Sequence, residues 1–176
     1  DAGISHWLLS LATEDGSQFF YMITMLGSAW FIMTASLAAG IWLIWRKQWL
    51  NLGAMAMSVG GGALLNILLK NIFSRPRPDF ANAFYHESGY SFPSGHAMLS
   101  FLFYGMIAYL IASQGASWRA QVRLGIAALT LSILIGFSRI FLGVHYLTDV
   151  LGGWSAGMVW LTACITSLQA FKHSRY

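Results

Sequence analysis

Apolar residues in this chain come in long unbroken blocks, not in the alternating or three-in-seven rhythms of half-buried strands and helices. Residues 16–45 carry no charge, and the block ends only at Arg46-Lys47. A second block runs from Trp49 to Leu69 and stops at Lys70. A third runs from Ser94 to Ser113, a fourth from Arg123 to Leu142, and a fifth from Leu147 to Phe171. A span needs roughly 20 apolar residues to cross a hydrocarbon layer of about 30 Å. Backbone in lipid must satisfy its own N–H and C=O groups, so all five blocks are predicted to be helices. The expected fold is all-α: a polytopic transmembrane helix bundle in one domain, residues 1–176, with no linker, low-complexity run or repeat dividing it. Residues 1–15 are too mixed to span and are expected along the interface. The chain opens on Asp1, not methionine, and a sixth helix is expected to be missing before it.

Composition supports the membrane reading. Of 176 residues, 57% are hydrophobic and 9% charged, against about 25% charged in a soluble domain. The single cysteine, Cys164, excludes an intrachain disulfide and is expected to be a buried, inert thiol. The net charge of +4 does not point to nucleic acid, because the basic residues flank apolar blocks and form no stripe. If the chain alternates sides, Arg46, Lys47, Arg119, Arg123, Lys172 and Arg175 share one side, the cytoplasmic one by the positive-inside rule. All six acidic residues (Asp1, Glu14, Asp15, Asp79, Glu87 and Asp149) fall on the other. Lys70, Arg75, Arg77 and Arg139 join them there, against the rule. Arg139 is the sharpest exception: 15 charge-free residues separate it from Arg123, about 22 Å of helix at 1.5 Å per residue. It is expected below the membrane surface, where a charge marks function by default; snorkelling to the headgroups is the alternative.

Three clusters on that side carry chemistry. In KNIFSRPRP, Pro76 and Pro78 hold Arg75 and Arg77 in an extended turn that folds Arg77 back towards Lys70. Cations gathered without matching carboxylates suit an anion with several oxygens, and the planar fork of arginine suits phosphate. In Pro93-Ser94-Gly95-His96, Ser94 is expected to cap the following helix. The N–H groups of that helix end, and the bare Gly95, leave room for an oxyanion beside His96. In the third cluster, Ser138-Arg139 precedes His145 and Asp149, which are four apart and share a helix face. An aspartate beside an imidazole fixes its tautomer and leaves the other nitrogen free to attack. Two histidines allow one nucleophile and one acid for the leaving oxygen. Arginines and the helix end then hold the charge on the equatorial oxygens.

With these residues in this order, the chain resembles the type 2 phosphatidic acid phosphatase superfamily, the membrane lipid-phosphate phosphatases. Its three-part signature is matched by Lys70/Arg77-Pro78, by Pro93-Ser94-Gly95-His96, and by Ser138-Arg139/His145/Asp149. The resemblance implies a phosphohistidine on His145, supported by Asp149, with His96 protonating the leaving group and then activating water. It implies that Lys70, Arg77, Ser94, Gly95 and Arg139 hold the phosphate oxygens, with no metal and no cofactor. Members of the family in membranes usually have six helices, and five are visible here. The lipid substrate is expected to enter from the outer leaflet, with no obligate protein partner. Among the substrates of small bacterial members, phosphatidylglycerophosphate is favoured and undecaprenyl diphosphate follows closely.

The alternatives are a phosphotransferase using the same intermediate and an anion or lipid transporter. Transport needs charge but not a nucleophile with a proton donor. The related vanadate-dependent haloperoxidases are excluded by the apolar helices. His86 and Glu87 are read as solvated loop residues near the mouth, with a headgroup contact as the alternative. Arg75 is read as either a headgroup contact or a surface residue, and Asn66, one turn before Lys70, as a residue that could orient it. His6 and His173 are expected to be inert. Trp45, Trp49 and Trp118 are expected to anchor helix ends at the interface, and Gly60-Gly61-Gly62, Gly153 and Gly157 to bring helices close together.

Overall fold

A computed structural model describes residues 1–10, 13–78 and 87–174, save the side chains of residues 2, 4, 6 and 9. His6 (its side chain), Asp79, His86 and Arg175 therefore lie outside the described residues. The described chain is helical, without a strand: α1 (Ala2–Ser10), α2 (Glu14–Met25), α3 (Ala29–Trp45), α4 (Trp49–Ala56), α5 (Gly62–Phe73), α6 (Gly95–Ala112), α7 (Trp118–Phe141) and α8 (Leu147–His173). Five segments are long and apolar enough to cross a membrane: Glu14–Trp45, Trp49–Phe73, Gly95–Ala112, Trp118–Phe141 and Leu147–His173. The protein is a multi-pass membrane protein, and these five agree with the five apolar blocks.

Two of the spans are not regular helices. The first contains 32 residues, about 48 Å of straight helix at 1.5 Å per residue, which exceeds a hydrocarbon layer of about 30 Å. The chain resolves this by breaking at residues 26–28. Ser28 starts α3 afresh by accepting the Phe31 N–H on its side chain at 3.2 Å, as an N-cap serine does. The second span changes pitch. Between α4 and α5, Met57–Gly61 forms a π-helical turn, and the Met57 carbonyl accepts from Trp160 Nε1 at 3.0 Å.

α6 is the central helix. Met98, Leu102, Met106 and Leu110 recur every fourth residue and are at most 4% exposed, which places them on one buried stripe. α7 and α8 pack most extensively against α6, with α5, the π turn, α3 and α4 completing its surroundings. α7 runs antiparallel to α6, and Ser100 pairs with Ser132 at 3.3 Å. α8 returns parallel to α6. The burial pattern inverts that of a soluble protein. Trp30, Ile41, Leu64, Ile126 and Val159 are exposed, whereas Asn66, Ser100, Ser132, Ser138, Arg139, His145 and Asp149 are buried. Cys164 is buried in the core, and Trp45, Trp49 and Trp118 stand exposed at helix ends. α1 packs on α7, with Leu8 against the small cluster of Ala97, Ile140 and Val150.

Small residues set the helix spacing, as the glycine pattern predicted, with one exception. A Cβ on Gly62 would lie 2.2 Å from Leu102 Cδ1, and one on Gly61 2.7 Å from the Trp160 ring. One on Gly153 would lie 2.7 Å from the Ser94 carbonyl oxygen. Gly60 has nothing within 4 Å. Gly153→Leu should therefore push the Ser94 segment away from α8. The expected cost is about 1–3 kcal/mol of overpacking, read as a lower midpoint of thermal unfolding in detergent. Gly60→Ala should stay within about 0.5 kcal/mol of the parent.

Candidate active site

The site is assembled from four pieces of chain at one end of the bundle. α5 delivers Lys70 in its last turn, and the extended segment after it carries Arg75 and Arg77. α6 opens on Gly95, with Ser94 and His96 at its start. α7 delivers Arg139 in its last turn and ends at Phe141, with Leu142 as its C-cap. Gly143 then adopts φ 75°. Its N–H bonds the Ile140 carbonyl at 3.0 Å and the next N–H, of Val144, bonds the Arg139 carbonyl at 3.2 Å. This paired closure is the glycine-terminated helix end that a left-handed residue permits, and it turns the chain so that His145 re-enters the bundle. The far end carries Lys47 and Lys172, which line one shallow cavity there.

Hydrogen bonds stitch the pieces together. The Ser94 N–H donates to the Asp149 backbone carbonyl at 2.9 Å, and Arg77 donates to the Val144 carbonyl at 3.0 Å and to the Gly89 carbonyl at 3.1 Å. Lys70 Nζ donates to the Tyr90 carbonyl. Asp149, in the first turn of α8, accepts the Tyr146 N–H on Oδ2 at 2.9 Å, a favourable use of a carboxylate at a helix N-terminus. The same oxygen lies 3.3 Å from His145 Nδ1. On the opposite edge of the ring, Arg77 approaches His145 Nε2 at 3.2 Å. A carboxylate accepts and a guanidinium donates, so the partners themselves assign the tautomer: Nδ1 carries the hydrogen and Nε2 presents its lone pair to the cationic side.

An anion already sits there. Glu87 Oε2 lies 3.1 Å from Arg77, and Glu87 Oε1 is hydrogen-bonded to Arg139. Arg139 is fully buried and also donates to Thr24 Oγ1 of α2 at 3.0 Å; it does not snorkel. His96 stands within electrostatic reach of Arg139, Glu87, His145 and Arg77. The Ser94 hydroxyl is buried and has no hydrogen-bond partner among the described residues. It occupies the N-cap position without capping, contrary to the expectation, and remains available to a ligand. Burial, with Arg139 and Arg77 close by, holds the His145 imidazole well below its ordinary 6.5. For Glu87 burial opposes ionisation, but Arg139, His96 and Arg77 outweigh it and bring the carboxyl down to about 2.

All eight residues singled out from the sequence thus converge: Lys70, Arg77, Ser94, Gly95, His96, Arg139, His145 and Asp149. Three neighbours stand differently. Glu87 is no solvated loop residue but bridges two arginines. Arg75, read as a headgroup contact or a surface residue, is partly exposed and pairs with Asp149 Oδ1 at 2.8 Å. Its only sequence signal was its place before Pro76, two residues ahead of Arg77, and no local spacing links it to Asp149. Asn66 does not orient Lys70. Its amide donates instead towards the Pro93 carbonyl at 3.4 Å, and its Oδ1 would meet a Cβ on Gly95 at 3.3 Å, a tight contact.

The chain as a whole is similar to known proteins. Residues 48–172 match the PAP2 superfamily. Phosphatidylglycerophosphatase B of Bacillus subtilis (strain 168) is 40% identical over 139 residues, 78% of this chain and 68% of the relative. The undecaprenyl-diphosphatase BcrC of the same organism is 30% identical over 126 residues, 67% of this chain and 58% of the relative. The crystal structure of a transmembrane PAP2-type phosphatidylglycerolphosphate phosphatase from Bacillus subtilis superposes with a TM-score of 0.87 at 32% identity, covering 98% of this chain and 84% of that one. The family match spans most of the chain, and the chain belongs to the PAP2 superfamily.

Proposed function

We propose that this PAP2 membrane protein is a lipid-phosphate phosphatase that hydrolyses a phosphomonoester or diphosphate through a phosphohistidine on His145. The observation that carries the reading is the anion already held at the nucleophile: a carboxylate spanning Arg77 and Arg139, with Arg77 also 3.2 Å from His145 Nε2. A phosphoryl group entering the same place displaces Glu87 and takes over both guanidinium edges. Lys70, the Ser94 hydroxyl and the N–H groups at the start of α6 receive its other oxygens. His145 Nε2 then attacks phosphorus while the bond to the ester oxygen breaks, and His96 gives that oxygen its proton. Asp149 steadies the imidazolium that forms. In the second half a water attacks the phosphohistidine, His96 takes its proton, and inorganic phosphate leaves with His145 restored.

The substrate best supported is phosphatidylglycerophosphate, because the 40%-identical relative and the superposed structure are both named for that reaction. Undecaprenyl diphosphate follows, on the 30%-identical relative named for it. The site faces the outer leaflet in this reading. Arg46, Lys47, Arg119, Arg123 and Lys172 all lie towards the opposite helix ends, where the positive-inside rule puts the cytoplasm.

Release of inorganic phosphate from a panel of these lipids and phosphatidate tests the reading, with His145→Ala as the blank. Turnover should be highest on phosphatidylglycerophosphate and fall by at least about 10³-fold in the variant. Retained turnover by His145→Ala would discard the mechanism. EDTA should leave activity intact and vanadate should inhibit; inhibition by the chelator alone would point to a metal enzyme. Glu87→Gln removes the competing charge, so the inhibition constant for vanadate and KM should both drop. Unchanged values would mean that Glu87 and phosphate do not share the arginines. Finally, ring-nitrogen chemical shifts of labelled histidine, assigned with His145→Ala, should show this imidazole still neutral as pH falls through 6.5 in the unliganded enzyme, because its folded value is depressed.

A further inference from the structure

Arg75 differs from the other cations at this end of the bundle. Lys70, Arg77 and Arg139 surround the place assigned above to phosphate, whereas both forks of Arg75 are taken by carboxylates. NH1 lies 2.8 Å from Asp149 Oδ1, and NH2 lies 2.8 Å from Asp1 Oδ2. NH1 also donates to Thr148 Oγ1 at 2.6 Å. The guanidinium lies over the Tyr146 ring, 4.3 Å from its centroid, a stacking that suits a planar cation. Such a side chain has little left to offer a phosphoryl group.

Its backbone works in another direction. Pro76 restricts Arg75 to extended backbone, so its carbonyl and its side chain diverge. The carbonyl accepts the Ser91 N–H at 2.8 Å, just ahead of the segment that carries Ser94 and His96. Arg75 thus belongs to the first signature segment, anchors the approach to the second through its carbonyl, and grips the third through Asp149, Thr148 and Tyr146.

The division of labour on Asp149 gives this contact a consequence. One oxygen, Oδ2, serves His145 Nδ1 and the Tyr146 N–H. The other, Oδ1, is held by Arg75. A carboxylate free to rotate about its terminal bond samples a broad torsion, and each rotation away from the ring loosens the tautomer on which Nε2 attack depends. We propose that Arg75 is a positioning residue for this reaction: it holds the outer oxygen of Asp149 so that the inner one stays on His145. This rests on the nucleophilic role assigned to His145 above.

The prediction separates turnover from binding. Orienting partners one shell away from the reacting group typically contribute about 10–100-fold. Arg75→Gln should therefore lower kcat by about that factor and leave KM and the vanadate inhibition constant within about twofold, since no phosphate contact is lost. Arg75→Lys keeps the charge without the fork and should fall between the two. The decisive measurement is a double-mutant cycle: residues that act as a unit are non-additive, so Arg75→Gln should cost nothing further in an Asp149→Asn background. A full, additive loss in that background would overturn the proposal, as would kcat unchanged in Arg75→Gln. Vanadate affinity lost in parallel with kcat would also overturn it, making Arg75 a phosphate ligand. A lowered thermal midpoint with a kcat restored on cooling would reduce Arg75 to a fold staple and overturn it too. Active Arg75→Gln beside an inactive His145→Ala sinks this proposal alone; an active His145→Ala sinks the reaction it depends on.

Discussion

A guanidinium fully enclosed in a membrane bundle must be answered by negative charge or be ruinously costly, and Arg139 is such a group. Much of the site follows from that requirement. Glu87 is drawn in from its loop to meet Arg139, and Arg77 is drawn to the same carboxylate. Thr24 brings α2 across to take another of the Arg139 hydrogens, so even the broken first span is tied to the site. When Glu87 is displaced the pair of arginines is again in need of an anion. A phosphoryl group satisfies them better than a carboxylate because it brings more oxygens and more charge. In the proposed reaction, affinity for substrate and stability of the empty protein would therefore draw on the same two side chains.

What the sequence disclosed depended on range. His145 and Asp149 are one helical turn apart, and that spacing alone put them on one face. The proline brackets around Arg75 and Arg77, and the Pro-Ser-Gly-His run ahead of an apolar block, were equally local. The five spans were legible because lipid leaves a long apolar block little choice but helix. Arg75 and Glu87 were not, because their partners lie 74 and 52 residues away, a distance no periodicity crosses. Asn66 misled for a related reason. Its neighbour along its own helix is Lys70, but its amide is spent on the Pro93 carbonyl of another segment. The division of the first span was implicit in its length, yet only the Ser28 cap revealed where the chain breaks.

Beside the apolar stripe of Met98, Leu102, Met106 and Leu110, the interior carries many buried polar side chains. Lipid offers no hydrophobic drive for helices to associate, so α6, α7 and α8 rely on close contact at small residues and on hydrogen bonds such as Ser100 to Ser132. Gly153 carries two duties. It lets α8 approach α6, and it leaves room for the Ser94 carbonyl, which a Cβ there would meet at 2.7 Å, so the packing that joins these helices also seats the segment that bears His96.

The π-helical turn at Met57–Gly61 has its effect at a distance. A helix advances about 100° per residue, and a π turn absorbs one residue more than a regular turn before the helix resumes. Everything beyond it is rotated in phase by roughly that angle. Asn66 and Lys70 lie beyond it, one turn apart on α5, and reach the Pro93 and Tyr90 carbonyls on the approach to α6. The glycine run that permits the bulge therefore acts as an angular setting for the first signature segment: a regular helix through residues 57–61 would aim the lysine along a different bearing.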